Sequence, residues 1–276
     1  MNLPLHGRTF SSAHWLTIPR YLYSLPLILR AFMTQLSVNL NKVALLRNSR
    51  GRNYPDVVQV AKDCIVFGAD GITMHPRPDE RHARKSDIFA LKEALDVELN
   101  VEGYPSEDFL QMIEEVKPAQ CTLVPDAPDQ LTSDHGWDTQ KYKQMLMDII
   151  RRIQEAGVRA SIFVDPDLNA IDGAREIGAD RIELYTEAYA SQYEQGKPQA
   201  VEPFARSAAY AHEIGLQINA GHDLNLDNLQ HFSNMVKPLE EVSIGHALVT
   251  DAIYFGLEET IQRYQACLGK SVPQLK

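Results

Sequence analysis

The side chains best suited to proton transfer lie in or just after short runs with the composition of β-strands. Three are histidines: His75 in GITMH, His222 in NAGHD and His246 in SIGHA. Two are glutamates: Glu102 at the end of ELNVE and Glu183 in the middle of RIELY. Imidazole and a desolvated carboxylate both exchange protons near neutral pH, so this set predicts general acid–base catalysis. A single histidine is more often structural, and Glu183 fits a buried ion pair equally well.

The same residue types also bind metal ions, which is the main competing chemistry. The HxH pair that metal-dependent amidohydrolases carry on their first strand is absent, because that strand reads SVNLN, and the chain has no HExxH motif. Cys64, Cys121 and Cys267 are far apart and show neither zinc-ligand spacing nor a disulfide framework, which fits a reducing cytoplasm. The sequence therefore predicts chemistry without a metal.

Two further motifs point to a ligand that carries phosphate. The segment LRNSRG offers Arg47 and Arg50 beside Gly51, and guanidinium groups bind phosphate through paired hydrogen bonds. Gly221 and Gly245 precede the histidines of NAGHD and SIGHA and allow a ligand to approach the backbone closely. LRNSRG is also compatible with an exposed basic loop, so that motif is weak by itself. Together the two motifs predict phosphate recognition.

Charge and hydropathy limit the class of ligand. The 276-residue chain has a net charge of −10, which argues against nonspecific binding of nucleic acid. No Asp or Glu precedes Asp56, whereas residues 1–55 contain seven Lys or Arg, a distribution that suits a small anionic ligand. The uncharged run at 21–29 has nine residues and is too short to span a bilayer. We expect residues 1–32 to be an extension outside the fold and residues 33–276 to form one domain.

Strand-like and helix-length segments alternate from Gln35 onward. The pattern predicts eight strands, at 35–41, 71–76, 98–104, 120–125, 159–165, 181–187, 217–222 and 241–246. A helix is predicted after each strand, the last one at about 249–267. Four helix-to-strand junctions share a glycine followed by a β-type run, as at Gly68 and Gly157, which indicates an internal βα repeat. Eight repeats favour a parallel (β/α)8 TIM barrel over a doubly wound open sheet.

Alternation within the predicted strands places polar side chains on one face. Asn39 and Asn41 share a face of the first strand, and Glu183 and Glu187 share a face of the sixth. Helices cover the outside of such a barrel, so the polar faces should line its interior, where they need partners or a ligand. Long connections are predicted after four strands, at 41–54, 77–85, 126–138 and 188–200. Long loops at this rim indicate that the active site lies there.

Seven segments, in this order and spacing, resemble the pyridoxine 5′-phosphate synthase family: SVNLNKVALLRNSRG, GADGITMHPRPDERH, LNVEGYP, LVPD, SIFVD, NAGHDL and SIGHAL. The resemblance covers residues 35 to about 268. It implies a (β/α)8 barrel with extra helices, a homo-octamer, and no metal or organic cofactor. The implied reaction condenses 3-amino-2-oxopropyl phosphate with 1-deoxy-D-xylulose 5-phosphate, which closes the ring of pyridoxine 5′-phosphate and releases phosphate and water.

The resemblance also implies a role for each matching residue. His75 and Glu102 are implied to be the acid–base groups of the first steps, His222 a later proton donor, and Glu183 the group that stabilises the transition state. The residues implied to contact the aminoketone phosphate are Asn39, Arg50, Gly245 and His246. The residues implied to contact the deoxyxylulose phosphate are Arg77, His82 and Thr132.

Three positions differ from the usual pattern of the family. Asn41 and Lys42 stand where Asp and His are usual, and Asp223 stands where Gly is usual. Lys42 still offers a positive charge to the deoxyxylulose phosphate, and Asp223 can orient the ring of His222 or raise its pKa. We expect all three positions to belong to the substrate site and activity to be retained. Two alternatives stay open: a metal-dependent barrel hydrolase or isomerase with the three histidines and Glu102 as ligands, and a non-catalytic barrel that binds phosphorylated metabolites.

Overall fold

The computed structural model describes residues 33–126 and 135–270. In these ranges eight parallel strands follow one another around a closed barrel, and β1 pairs with both β2 and β8. The strands are β1 Gln35–Asn39, β2 Gly71–Met74, β3 Glu98–Gly103, β4 Gln120–Leu123, β5 Arg159–Val164, β6 Arg181–Tyr185, β7 Gln217–Gly221 and β8 Glu241–Ile244. The pairing of β1 with β8 confirms the predicted (β/α)8 barrel and excludes the open sheet.

Helices connect the strands. The α-helices in the described ranges are α1 Asn41–Asn48, α2 Val57–Val66, α3 Lys85–Ala94, α4 Glu107–Val116, α5 Lys143–Glu155, α6 Leu168–Glu176, α7 Glu187–Glu194, α8 Glu202–Glu213, α9 Leu229–Met235, α10 His246–Phe255 and α11 Leu257–Cys267. A 3-10 helix at Pro198–Val201 precedes α8. Asp56, Ser106 and Asp167 begin α2, α4 and α6 by accepting hydrogen bonds from backbone amides of the first turn, which otherwise lack partners.

The strands bury apolar side chains on one face and polar side chains on the other. On β1, Val38 is fully buried, whereas Ser37 on the opposite face shares a hydrogen bond of 2.6 Å with Thr73 of β2. Thr122 of β4 donates to Asn100 of β3 at 3.0 Å. These bonds link neighbouring strands across the barrel interior. The polar interior that alternation predicted is therefore confirmed, and much of it is satisfied by the barrel itself.

Glycines end the helices that precede β2, β5, β6 and β7. Their φ angles are 112° at Gly68, 82° at Gly157, 83° at Gly178 and 85° at Gly215. A side chain with a Cβ is strained in this left-handed region, so glycine lets the chain pass from helix to strand without that strain. The junction that repeats in the sequence is thus a repeated structural turn.

The strands begin where predicted but end one or two residues earlier. Asn39 Oδ1 accepts a hydrogen bond from the Asn41 amide at 3.0 Å, so the chain turns there and Asn41 begins α1 instead of extending β1. Glu187 likewise begins α7, so its predicted place on the face of Glu183 is wrong. Most of the predicted loops at 41–54 and 188–200 is helical. The predicted helix at 249–267 is two helices, divided at Gly256, where φ is 79°.

Two predictions concern residues at or beyond the edges of the described ranges. The extension at 1–32 lies outside them, so the boundary at Met33 stays a prediction. Most of the predicted loop at 126–138 also lies outside.

None of the α-helices in the described ranges combines the length and apolar character needed to cross a membrane.

Candidate active site

The predicted proton-transfer groups lie at or just beyond the carboxyl ends of the strands. His75 follows β2 directly, and His222 follows β7 in the same way. His246 is the first residue of α10, after β8. Glu102 lies one residue before the end of β3, and Glu183 lies in the middle of β6. Because the carboxyl ends of parallel strands meet at one rim, the fold gathers these residues at one mouth of the barrel.

Hydrogen bonds tie the ends of β1, β2 and β3 together around Glu102. Asn39 Nδ2 donates to Glu102 Oε2 at 3.4 Å, and His75 Nδ1 lies 4.0 Å from the same oxygen. Asn41 Oδ1 accepts the backbone amide of His75 at 2.9 Å. Asn41 therefore fixes the backbone of His75, although it stands where the family usually has Asp. The two asparagines and the His75–Glu102 pair form one connected group.

Burial sets the protonation of Glu102 and His75. The pKa of Glu102 is raised to about 7, chiefly by burial, with the His222 ring opposing the shift. The pKa of His75 is lowered well below its ordinary value by burial, and the positive charge of Arg77 adds to the effect. Near neutral pH a neutral imidazole therefore faces a carboxyl group that is about half ionised. Such a pair can both take protons from a ligand and return them.

Glu183 lies deeper in the barrel and is 3 % exposed. Its Oε2 has no hydrogen-bond partner among the described residues. A Cβ at Gly221 would lie 2.3 Å from Glu183 Oε1, so the end of β7 needs glycine to leave room for this carboxyl group. Burial, and then the neighbouring Glu102, raise the pKa of Glu183 well above its ordinary value. The shift favours the protonated form, which can donate a hydrogen bond.

His222 occupies a strained backbone position. Its φ is 75°, in the left-handed region that non-glycine residues rarely adopt. Its Nδ1 lies 2.9 Å from Asp223 Oδ2, and the ring of Tyr185 packs edge-on against it with centroids 5.3 Å apart. The hydrogen bond to His222 lowers the pKa of Asp223, so the carboxylate is ionised and accepts from Nδ1. Asp223 thereby orients the ring.

A cationic sector lies at the end of β2. Arg77 Nη2 lies 2.5 Å from Asp126 Oδ2, and these side chains are 5 % and 1 % exposed. The ring of His82 lies 6.3 Å from that of His75 between centroids. Burial lowers the pKa of His82 to about 4, and the charges of Arg77 and Lys42 add to the effect. His82 is therefore a neutral ring beside a guanidinium group that Asp126 already orients.

A second sector lies at the ends of β8 and β1. A Cβ at Gly245 would lie 3.1 Å from Asn39 Cβ, so glycine keeps the β8 end close against β1. His246 is exposed at the start of α10, and its charge contributes to the lowered pKa of Asp223. Asn39, Gly245 and His246 thus lie together, apart from the sector of Arg77. Two sectors of this kind suit two separate anionic groups.

The two arginines of LRNSRG have different environments. Arg47 lies in α1, is 1 % exposed, and pairs through Nη1 with Asp87 at 2.5 Å. Arg47 therefore lies in a helix and is buried, so the prediction that it belongs to a phosphate-binding loop is wrong. Arg50 lies just beyond α1 and is exposed, as is Lys42 in the first turn of that helix. The predicted contact residue Thr132 lies outside the described residues.

A cavity of about 410 Å³ opens beside the ends of β2 and β3. Its walls include His75, Arg77, Tyr104, Ser106 and Asp126. Sequence reasoning did not single out Tyr104 or Asp126, although both lie in the quoted segments LNVEGYP and LVPD.

In the described part of the chain, no three His, Cys, Asp or Glu side chains are grouped in a way that could hold a metal ion.

Comparison with known proteins places the chain in a family. The family described as pyridoxal phosphate biosynthesis protein PdxJ has a model that matches residues 36–270. The chain belongs to the PdxJ family. It is 56 % identical over 233 residues to pyridoxine 5′-phosphate synthase of Porphyromonas gingivalis, a match that covers 84 % of this chain and 98 % of that protein. It is 55 % identical over 236 residues to pyridoxine 5′-phosphate synthase of Bacteroides fragilis, covering 86 % and 100 %. PdxJ membership confirms the resemblance seen in the seven segments.

Solved structures with little sequence similarity share the fold of this PdxJ chain. Thiamine phosphate pyrophosphorylase from Pyrococcus furiosus is 12 % identical, with a TM-score of 0.55 over 87 % of this chain and 98 % of that chain. The 4-hydroxy-2-oxoglutarate aldolase/2-deydro-3-deoxyphosphogluconate aldolase from TTHB1 is 13 % identical, with a TM-score of 0.59 over 89 % and 100 %. At these identities the likeness concerns the barrel alone.

Proposed function

We propose that this chain is a pyridoxine 5′-phosphate synthase, which condenses 3-amino-2-oxopropyl phosphate with 1-deoxy-D-xylulose 5-phosphate. Family membership and relatives of that name at 56 % and 55 % identity support this reaction. The observation that carries the proposal is the pair at the barrel mouth, a carboxyl group of Glu102 with a pKa of about 7 facing the neutral imidazole of His75. The substrates are small phosphorylated molecules, and phosphate and water leave with the product.

The first steps need a group that both accepts and donates protons. Attack of the amine on the ketone leaves a proton to be removed from nitrogen, and loss of water needs a proton on the departing oxygen. Glu102 can do both in turn, because its two protonation states have nearly equal free energy near pH 7. His75 accepts a proton only transiently, since burial and Arg77 disfavour its charged form. We assign the acid–base work of these steps to this pair.

Later steps need a donor and a group that stabilises developing negative charge. His222, with Nδ1 bonded to Asp223, presents Nε2 as the proton donor. The raised pKa of the buried Glu183 favours its protonated form, which can donate a hydrogen bond to an oxygen that becomes negative in the transition state. We assign proton donation to His222 and transition-state stabilisation to Glu183.

The two sectors fit the two phosphate groups. We assign the aminoketone phosphate to Asn39, Gly245 and His246 together with Arg50. We assign the deoxyxylulose phosphate to the sector of Arg77 and His82. On the sequence match alone, we add Thr132, Lys42 and Asn41 to the residues that contact it. The charge of Arg77 and the sequence-based match support the second assignment.

The remaining features of the proposal come from the family resemblance and from the composition of the sequence. We propose a cytoplasmic homo-octamer that needs no metal or organic cofactor and binds neither nucleic acid nor membranes. Size-exclusion chromatography with light scattering measures the assembly directly. A stable monomer would contradict the proposed octamer without affecting the proposed reaction.

The deciding experiment incubates the purified full-length protein with both phosphorylated substrates and follows pyridoxine 5′-phosphate by its fluorescence and by mass spectrometry. Each substrate alone is the control. We expect product only with both substrates, and equal rates with and without excess chelator. Activity that requires added metal would favour the metal-dependent alternative. Tight binding of both substrates without product would favour the non-catalytic barrel, for which Asn41, Lys42 and Asp223 are the natural explanation.

A further inference from the structure

The side chain of Asn48, the last residue of α1, contacts a loop far from it in sequence. Its Nδ2 lies 3.2 Å from the carbonyl oxygen of Glu80, 3.2 Å from that of Arg81 and 2.8 Å from that of His82. Carbonyl oxygens of three consecutive residues therefore turn toward one amide nitrogen. Loop carbonyls have no strand or helix to bond with, so such a donor fixes the course of the backbone.

Two guanidinium groups fix the Asn48 amide in turn. Its Oδ1 accepts from Arg47 Nε at 3.1 Å and from Arg84 Nη2 at 2.9 Å. The buried Arg47 also donates through Nη2 to the carbonyl oxygen of His82 at 3.1 Å. Because both oxygen contacts are with donors, the amide has one orientation, with its NH2 toward the loop. We call these contacts of the Asn48 side chain the clamp. In the clamp, Oδ1 faces the two arginines and Nδ2 faces the carbonyl oxygens of residues 80–82.

The loop has further contacts of its own, so losing Asn48 would shift it without unfolding it. Arg81 pairs with Asp79 at 2.8 Å inside the loop, and Glu80 Oε1 accepts the backbone amide of Lys85 at 2.9 Å. The Asp87 carboxylate accepts the backbone amide of Arg84 at 2.8 Å and holds the start of α3. Asn48 and Arg47 both hold the His82 carbonyl from α1, and Asn48 alone of the two also contacts the Glu80 and Arg81 carbonyls. Asn48 thus helps to set the position of the 80–82 backbone relative to α1, and hence the direction of the His82 ring.

We propose that Asn48 is a positioning residue for the deoxyxylulose phosphate sector, through its clamp on the loop that carries His82. This inference rests on the proposed function, which assigns that sector to this substrate. It separates Asn48 from Arg50, two residues further on in the same motif, which we assign to the other substrate. Two neighbouring residues of LRNSRG thus act on different phosphate groups.

Asn48→Asp separates the two halves of the clamp. The carboxylate keeps the acceptor for Arg47 and Arg84 but loses the donor and places negative charge against three carbonyl oxygens. We expect KM for 1-deoxy-D-xylulose 5-phosphate to rise about tenfold or more, as loss of a positioned donor does. KM for the aminoketone phosphate should stay within about twofold. Asn48→Ser, which keeps one hydroxyl donor and adds no charge, should give an intermediate KM.

Matched variants and direct binding keep the outcomes distinct. Ser49→Ala is the control, since the Ser49 hydroxyl bonds only locally to the Leu46 carbonyl at 2.7 Å. Calorimetric titration with 1-deoxy-D-xylulose 5-phosphate reports binding even if the wild type forms no product, so failure of the proposed reaction would be seen separately. The inference is overturned if both KM values change equally. It is also overturned if kcat and Tm fall while both KM values stay unchanged, because Asn48 would then have a merely structural role.

Discussion

Replacing Glu102 with Gln removes its proton exchange and keeps its shape. The amide oxygen of Gln can still accept the bond that Asn39 Nδ2 now makes at 3.4 Å. Turnover should fall about 100-fold or more, because a positioned acid–base group contributes ~10² to 10⁴-fold to rate. Binding of both substrates should stay within a few-fold, since the phosphate sectors are untouched.

Stability should move in the opposite direction from activity, and its pH dependence gives the magnitude. The pKa of Glu102 rises from an ordinary 4.5 to about 7 on folding. That difference of about 2.5 in pKa corresponds to at most ~3.5 kcal/mol, at about 1.4 kcal/mol for each unit of pKa. Because the folded state binds the proton more tightly, the favourable contribution is complete below about pH 4.5 and is lost as pH rises through about 7. Gln does not titrate, so Glu102→Gln should gain stability relative to the wild type over this range.

The assay measures Tm at about pH 5 and about pH 8, and turnover on the same preparations. The difference in Tm between variant and wild type should increase by several degrees toward high pH. Glu93→Gln, on the exposed side of α3, is the control and should change neither quantity. If Glu102 were held by an ion pair with a charged His75, the variant would lose stability and keep much of its turnover. Near-normal turnover in a well-folded Glu102→Gln protein would refute the catalytic assignment.

Three further predictions test other parts of the proposal. Arg50→Ala should raise KM for the aminoketone phosphate by about 10-fold or more, because a charge-assisted hydrogen bond is lost. Steady-state kinetics with each substrate varied measures this. A rise in KM for the deoxyxylulose phosphate instead would reverse the assignment of the two phosphate groups. Glu241→Gln removes a buried carboxylate that raises the pKa of Glu102. The acid limb of the plot of kcat/KM against pH should therefore move to lower pH. If that limb does not move, a group other than Glu102 controls it. A chain beginning at Met33 should keep the Tm and turnover of the full chain, and a large loss of either would make residues 1–32 part of the fold.

The barrel could be predicted from the sequence because the βα unit repeats eight times. The position of Glu102 could be predicted because side chains alternate between the two faces of a strand. Every strand start was correct, since alternation and the preceding glycine turns are local signals. The strand ends were less accurate, because side-chain bonds such as Asn39 to the Asn41 amide end β1 early. Such a bond depends on one side chain at one turn, so the alternation of polar and apolar residues does not reveal it.

Contacts between loops could not be predicted from the sequence. Asp126 orients Arg77 from a strand end 49 residues away, and Asn48 reaches across to the backbone of a loop more than 30 residues later. Arg47 looked like a phosphate ligand because its charge was visible and its burial against Asp87 was not. Pairings of this kind arise only when the barrel closes and brings neighbouring loops together. The sequence alone therefore identified candidate charges but not which of them the protein itself uses.

The left-handed backbone at His222 has a consequence for laboratory evolution of this protein. With φ at 75°, the residue carries a strain that glycine would relieve, of about 1 to 2 kcal/mol. Where this relief exceeds the loss of the contacts with Asp223 and Tyr185, a screen that rewards only heat resistance or expression would enrich His222→Gly, which has no imidazole. Libraries selected for a more stable barrel would therefore accumulate inactive variants unless product formation is selected in every round.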